Sequence, residues 1–131
     1  MNKTETESQN LPLAEVDKYS FTRGNMPLVY ETAQRMLAPT DERIAISLPL
    51  TWETLYVVDA MKDRAHNLIV IPQSSGEHSS IQPGVFEYLT RWDIPHYGSA
   101  EEEDRIAVLR QSPDVIVDCS FVLGDAAVRN D

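Results

Sequence analysis

The chain has 131 residues and a mass of 14.8 kDa, with 42% hydrophobic residues and a mean hydropathy of -0.32. That leaves room for one core of a globular kind and excludes a two-domain enzyme carrying its own dinucleotide domain. Eleven basic against 21 acidic residues give a net charge of -10, which excludes the basic stripe that nucleic acid or an anionic membrane surface requires.

Residues 1–10 (MNKTETESQN) are polar without apolar periodicity, so a disordered tail is expected there, followed by one domain over residues 11–131. Pro27 suits the first turn of a helix reaching Leu37, with Pro39 just beyond its end. Arg43 to Leu48 (RIAISL) reads as a buried strand. Thr51 to Lys62 carries Trp52, Leu55, Tyr56, Val58 and Met61 at helical spacing. Asn67 to Ile71 (NLIVI) predicts a second strand, Gln82 to Trp92 a helix with Val85, Phe86 and Leu89 on one face, and Ile94 to Tyr97 a brief third strand.

Ser99 and Glu102 have the spacing of a capping box, and the run Glu101 to Asp104 fits a solvated helix start. Ile106, Val108 and Leu109 give that helix an apolar side. Asp114 to Asp118 (DVIVD) predicts a fourth strand and Phe121 to Val128 a last short helix. Near-continuous apolar strands alternating with helices imply an α/β fold. The expected architecture is a single three-layer α/β/α Rossmann-like sandwich with a mostly parallel sheet of about four strands in the order 3-2-1-4. Ligands in such sheets sit beyond the carboxyl ends of the strands at the switch point, here the loops after the first and fourth strands.

Cys119 is the only cysteine, so no intrachain disulfide forms and a reducing compartment is expected. There is no signal-peptide pattern and no apolar run long enough to span a bilayer. A cytoplasmic location is therefore expected. The start at Met1 and the end soon after the fourth strand favour a natural short protein.

Five stretches, in order, resemble landmarks of the S-adenosylhomocysteine hydrolase family, in its N-terminal substrate-binding domain. Asn25-Met26-Pro27 resembles the family's E-M-P, and Arg43 to Thr54 (RIAISLPLTWET) its R-I-A-G-C-L-H-M-T-x-E/Q-T. Ser79 to Gln82 resembles S-T-Q-D. Ile94 to Tyr97 with the following acidic run resembles G-I-P-V-Y/F-A-W and its acidic helix, and Val115 to Cys119 resembles M-I-L-D-D. The resemblance covers residues 11 to 125 and implies a fold in which adenosine is gripped by this domain while a separate domain holds NAD.

The departures bear on chemistry. The family's histidine falls on Pro49, which carries no proton-transfer group, and the second aspartate of its D-D pair falls on Cys119, the first on Asp118. The glycine-rich NAD fingerprint has no counterpart in this chain, so no cofactor is expected. The resemblance implies that hydrolase activity of this chain alone is lost. It also implies a ligand-binding set of Leu48, Thr51, Glu53 and Thr54, with Glu53 accepting from the adenine amine, as an acceptor-only carboxylate can. A second reading stands beside it: Thr51 caps a helix and Glu53 favours its positive end.

Cys119 at a strand end, with His78 as base and Asp118 nearby, is the weak catalytic candidate; a buried inert thiol is the alternative. Cys119, His78 and Asp118 lack the spacing of a metal site, and none is expected. His66 and His96 read as exposed or structural, and Ser74-Ser75-Gly76 as either an anion-cradling nest or an ordinary loop. Trp52, Tyr56, Phe86, Tyr88 and Trp92 fit helix faces packed on the sheet.

Two functions follow as expectations. One is a non-catalytic nucleoside- or S-adenosylhomocysteine-binding or protein-interaction module within a biosynthetic or regulatory assembly. Its partners are then an adenosine-type molecule and a second copy or another protein covering the face left by the missing domain. The other is a small biosynthetic enzyme with repurposed chemistry at Cys119, Asp118, Glu53 or His78. A split hydrolase completed in trans is a third arrangement, against which Pro49 argues.

Overall fold

A computed structural model of the protein describes residues 17–74, 81–119 and 122–130. The expected tail at residues 1–10 lies outside them. In chain order the elements are α1 (Asp17–Asn25), α2 (Pro27–Met36), β1 (Thr40–Leu48), α3 (Trp52–Lys62), β2 (Ala65–Pro72), α4 (Val85–Arg91), α5 (Glu102–Leu109), β3 (Val115–Asp118) and α6 (Val122–Arg129).

The strands form a parallel sheet of order β2-β1-β3. Ile44 pairs with Leu68 on one side and Val115 on the other, and Ser47 pairs with Ile71 and Asp118. Alternation along the strands sends successive side chains to opposite faces. Ile44, Ile46, Leu68 and Val70 form one core with Leu55, Tyr56 and Val58 of α3 and Val85, Tyr88 and Leu89 of α4. Ala45, Ile69 and Ile71 turn to the other face and pack with Val108 of α5 and Leu123 of α6. A parallel sheet covered on both faces is what near-continuous apolar strands require.

Three strands are present among the described residues, where four were expected. The segment Ile94 to Tyr97 makes a single parallel bridge, His96 with Val70, on the outer edge of β2. The Val70 N–H donates to the Pro95 carbonyl at 2.9 Å and the Tyr97 N–H to the Val70 carbonyl at 3.0 Å. Asp93 enters this segment at φ 53, and Pro95 has no N–H to extend the pairing.

The helix expected over Gln82 to Trp92 is also shorter. Gly84 lies before Val85 at φ 93, a left-handed conformation that cannot continue a helix, and a Cβ there would lie 3.3 Å from the Trp52 ring. The capping box does not form. Glu101 is the N-cap of α5 and makes no side-chain cap bond; the Ser99 hydroxyl instead donates to Asp104 and accepts from the Glu101 N–H. Asp104 competes for the serine that Glu102 was expected to share. The acidic first turn of α5, Glu102 to Asp104, is as expected.

Trp52, Tyr56 and Tyr88 are buried, and Phe86 and Trp92 pack against the same core, with Trp52 edge-on to Tyr88 at 6.0 Å. His66 is exposed and paired with Asp41, while half-buried His96 stacks on Phe86 at 5.5 Å. No helix among the described residues is long and apolar enough to cross a membrane.

Candidate functional site

The carboxyl ends of all three strands meet at one edge of the sheet. β1 and β2 end in register, Leu48 opposite Pro72, and Pro49 follows directly. Neither proline can donate to a ladder, so the sheet stops there and the chain turns. Because β2 and β3 flank β1 on opposite sides, the switch point falls between β1 and β3, at Ser47-Leu48 and Asp118-Cys119. The Cys119 N–H donates to the Ser47 carbonyl at 3.4 Å, which fixes the two walls as neighbours.

The wall after β1 is built by helix-start chemistry. Thr51 is the N-cap of α3, in extended backbone, and its hydroxyl accepts from the Thr54 N–H at 3.4 Å. The buried Thr54 hydroxyl donates to the Pro49 carbonyl. The Trp52 N–H donates to the Gln82 side-chain carbonyl at 2.8 Å, and the Gln82 N–H to the Leu50 carbonyl at 2.9 Å. Leu48 and Thr51 are half-buried and Glu53 is exposed in the first turn of α3. Of the four expected ligand residues, Thr54 is therefore committed to holding the loop. Thr51 keeps its own hydroxyl proton, and Glu53 faces solvent.

The wall after β3 is tied to the start of α6. One oxygen of Asp118 accepts from the Leu123 N–H at 2.6 Å and the Gly124 N–H at 3.1 Å. It thus satisfies two of the N–H groups that the first turn of α6 leaves without helical partners. Cys119 is exposed, which corrects the alternative of a buried thiol: its strand ends one residue earlier, so its side chain lies outside both cores. His78, Ser75 and Gly76 lie outside the described residues; Ser74 is exposed. Among the described residues no group of three His, Cys, Asp or Glu side chains converges closely enough to hold a metal ion.

One residue at this edge escapes the sequence reading. Ser47 is fully buried, and its hydroxyl has no hydrogen-bond partner among the described residues. It follows Ala45 on the α5–α6 face, in the row Ile71, Ser47, Asp118. The available signal is a lone polar residue inside the apolar run of β1. No model of a known protein family matches the chain, and no curated protein matches its sequence.

Proposed function

We propose that the chain is a non-catalytic binding module of Rossmann-like type whose site is the switch-point edge between β1 and β3, and whose ligand is an adenine nucleoside such as adenosine or S-adenosylhomocysteine. The observation that carries this reading is topological: β1 lies centrally between two parallel neighbours reached by crossovers in opposite directions, which is where open α/β sheets take ligands. The resemblance to S-adenosylhomocysteine hydrolases supplies the ligand class. Leu48 offers an apolar contact, the Thr51 hydroxyl a donor, and the exposed Glu53 carboxylate two acceptor oxygens for an exocyclic amine. Pro49 at the position of the family's histidine, and an Asp118 committed to α6, speak for binding without turnover.

Isothermal titration tests it. Adenosine is expected to release heat and inosine, which lacks the amine, to bind at least tenfold more weakly. Glu53→Ala is expected to remove the difference, since a hydrogen bond to a charged group contributes about 1.5–3 kcal/mol. No heat with adenosine or S-adenosylhomocysteine, or an affinity unchanged by Glu53→Ala, defeats the assignment.

The exposure of Cys119 is the observation that favours the second reading, a small enzyme using that thiol. Under the binding reading, iodoacetamide modifies Cys119 in the folded protein about as fast as in a urea-unfolded control. A folded-state rate many-fold above that control marks an activated nucleophile and transfers the assignment to the enzyme.

A further inference from the structure

We infer that the chain forms a two-fold dimer through α2, independently of the nucleoside reading. No residue of α2 is buried, although a ten-residue helix is marginal without tertiary packing. Val29, Ala33 and Leu37, four residues apart, are the half-buried side that meets the protein. Leu28, Thr32 and Met36 form the adjacent stripe at the same spacing, with Leu28 69% and Met36 81% exposed. This stripe borders an apolar groove of about 500 Å³ that α2 makes with α3. A contiguous apolar surface of this kind marks an interaction site rather than ordinary surface.

Charge selects the occupant. The chain carries -10 overall, which opposes self-association through its acidic surfaces. On α2 the only charged residues are Glu31 and Arg35, one of each sign, ion-paired at 2.6 Å. Helix geometry places both on the same flank of the stripe. A two-fold axis through Thr32 sets two α2 helices antiparallel, with Leu28 of each copy level with Met36 of the other. It also brings Glu31 of each copy within about one helical turn of Arg35 of the other, on the same flank. The face is thus complementary to itself in both apolar pattern and sign, and it offers no net charge to attract a strongly basic or acidic partner.

Sedimentation equilibrium of the full chain is the test. The expected mass is about twice that of one chain at tens of micromolar, falling to one chain in Leu28→Glu/Met36→Glu. Both positions are exposed, so far-UV circular dichroism should be unchanged. Glu31→Arg is expected to weaken the dimer at least tenfold by facing like charges, and Glu31→Arg/Arg35→Glu to restore it. A monomer at all concentrations overturns the inference; if it takes up an apolar dye that Leu28→Glu abolishes, the groove belongs to a small apolar ligand. A dimer unmoved by Leu28→Glu/Met36→Glu, or a double swap that fails to rescue, overturns it equally.

Discussion

Leu55→Ala is expected to lower the free energy of unfolding by about 2–5 kcal/mol, the range for truncating a buried leucine whose site only partly collapses. Leu55 is 1% exposed and lies on the face of α3 that meets Ile44 and Ile46 of β1 and Leu89 of α4. The helix is pinned at its start by the Thr51 cap and by the bond from Trp52 to Gln82, so it cannot slide inward to fill the space. Urea unfolding should show a lower midpoint with an unchanged slope. Val117→Ala, at a side chain 39% exposed on the edge strand, serves as the control and should cost under about 1 kcal/mol. Equal effects at the two positions would mean that the core does not lie between the sheet and α3.

What the sequence made legible follows the strength of its apolar patterning. The apolar runs of β1, β2 and β3 announce strands because buried parallel strands have no polar face to interrupt them. The first residues of β1 were missed since Thr40, Asp41 and Glu42 look like a loop; they are drawn into the strand by pairing with Ala65 across a register shift, and by the bond from the Thr40 N–H to the Arg64 carbonyl. α1 was missed altogether. Its sequence DKYSFTRGN has no apolar stripe, and Phe21 is 73% exposed. It is held by contact with α3, which no local pattern displays. The Ile94 to Tyr97 segment shows the converse error, where a short apolar and aromatic pattern outweighed a proline that limits pairing to one bridge.

At the candidate site, local chemistry was readable and long-range chemistry was not. Thr51 is recognisable as a cap because cap and helix are adjacent in sequence. The juxtaposition of Ser47 with Asp118 and Cys119 depends on β3 returning beside β1 after more than sixty intervening residues; spacing alone cannot give that. Ser47 has a related lesson. In sequence it is one small residue in an apolar strand, and only its burial without a partner sets it apart from Ala45. A buried hydroxyl in that state costs about 1–3 kcal/mol relative to a satisfied one.

Asp118→Ala is expected to destabilise the protein by about 1–2 kcal/mol, as loss of a helix cap does, and the comparison with Asp118→Asn separates capping from charge. A single carboxylate oxygen takes both the Leu123 and the Gly124 N–H. An amide oxygen in the same place has the lone pairs to accept both. Asp118→Asn should therefore keep the hydrogen bonds and lose only the attraction of a full negative charge for the positive end of α6, about 0.3–1 kcal/mol. The sequence rule for caps missed this residue because it inspects the position just before a helix, whereas Asp118 reaches α6 from the end of β3, four residues ahead of Val122. The consequence is mechanical: β3 and α6 are tied together at the switch point, and Leu123, fully buried against Ala45 and Ile71, depends on that tie for its seat. Thermal and urea unfolding of the two variants should rank wild type above Asp118→Asn above Asp118→Ala. If Asn proves as costly as Ala, the charge itself is what the site needs, and Asp118 returns as a candidate for contact with a ligand or for chemistry.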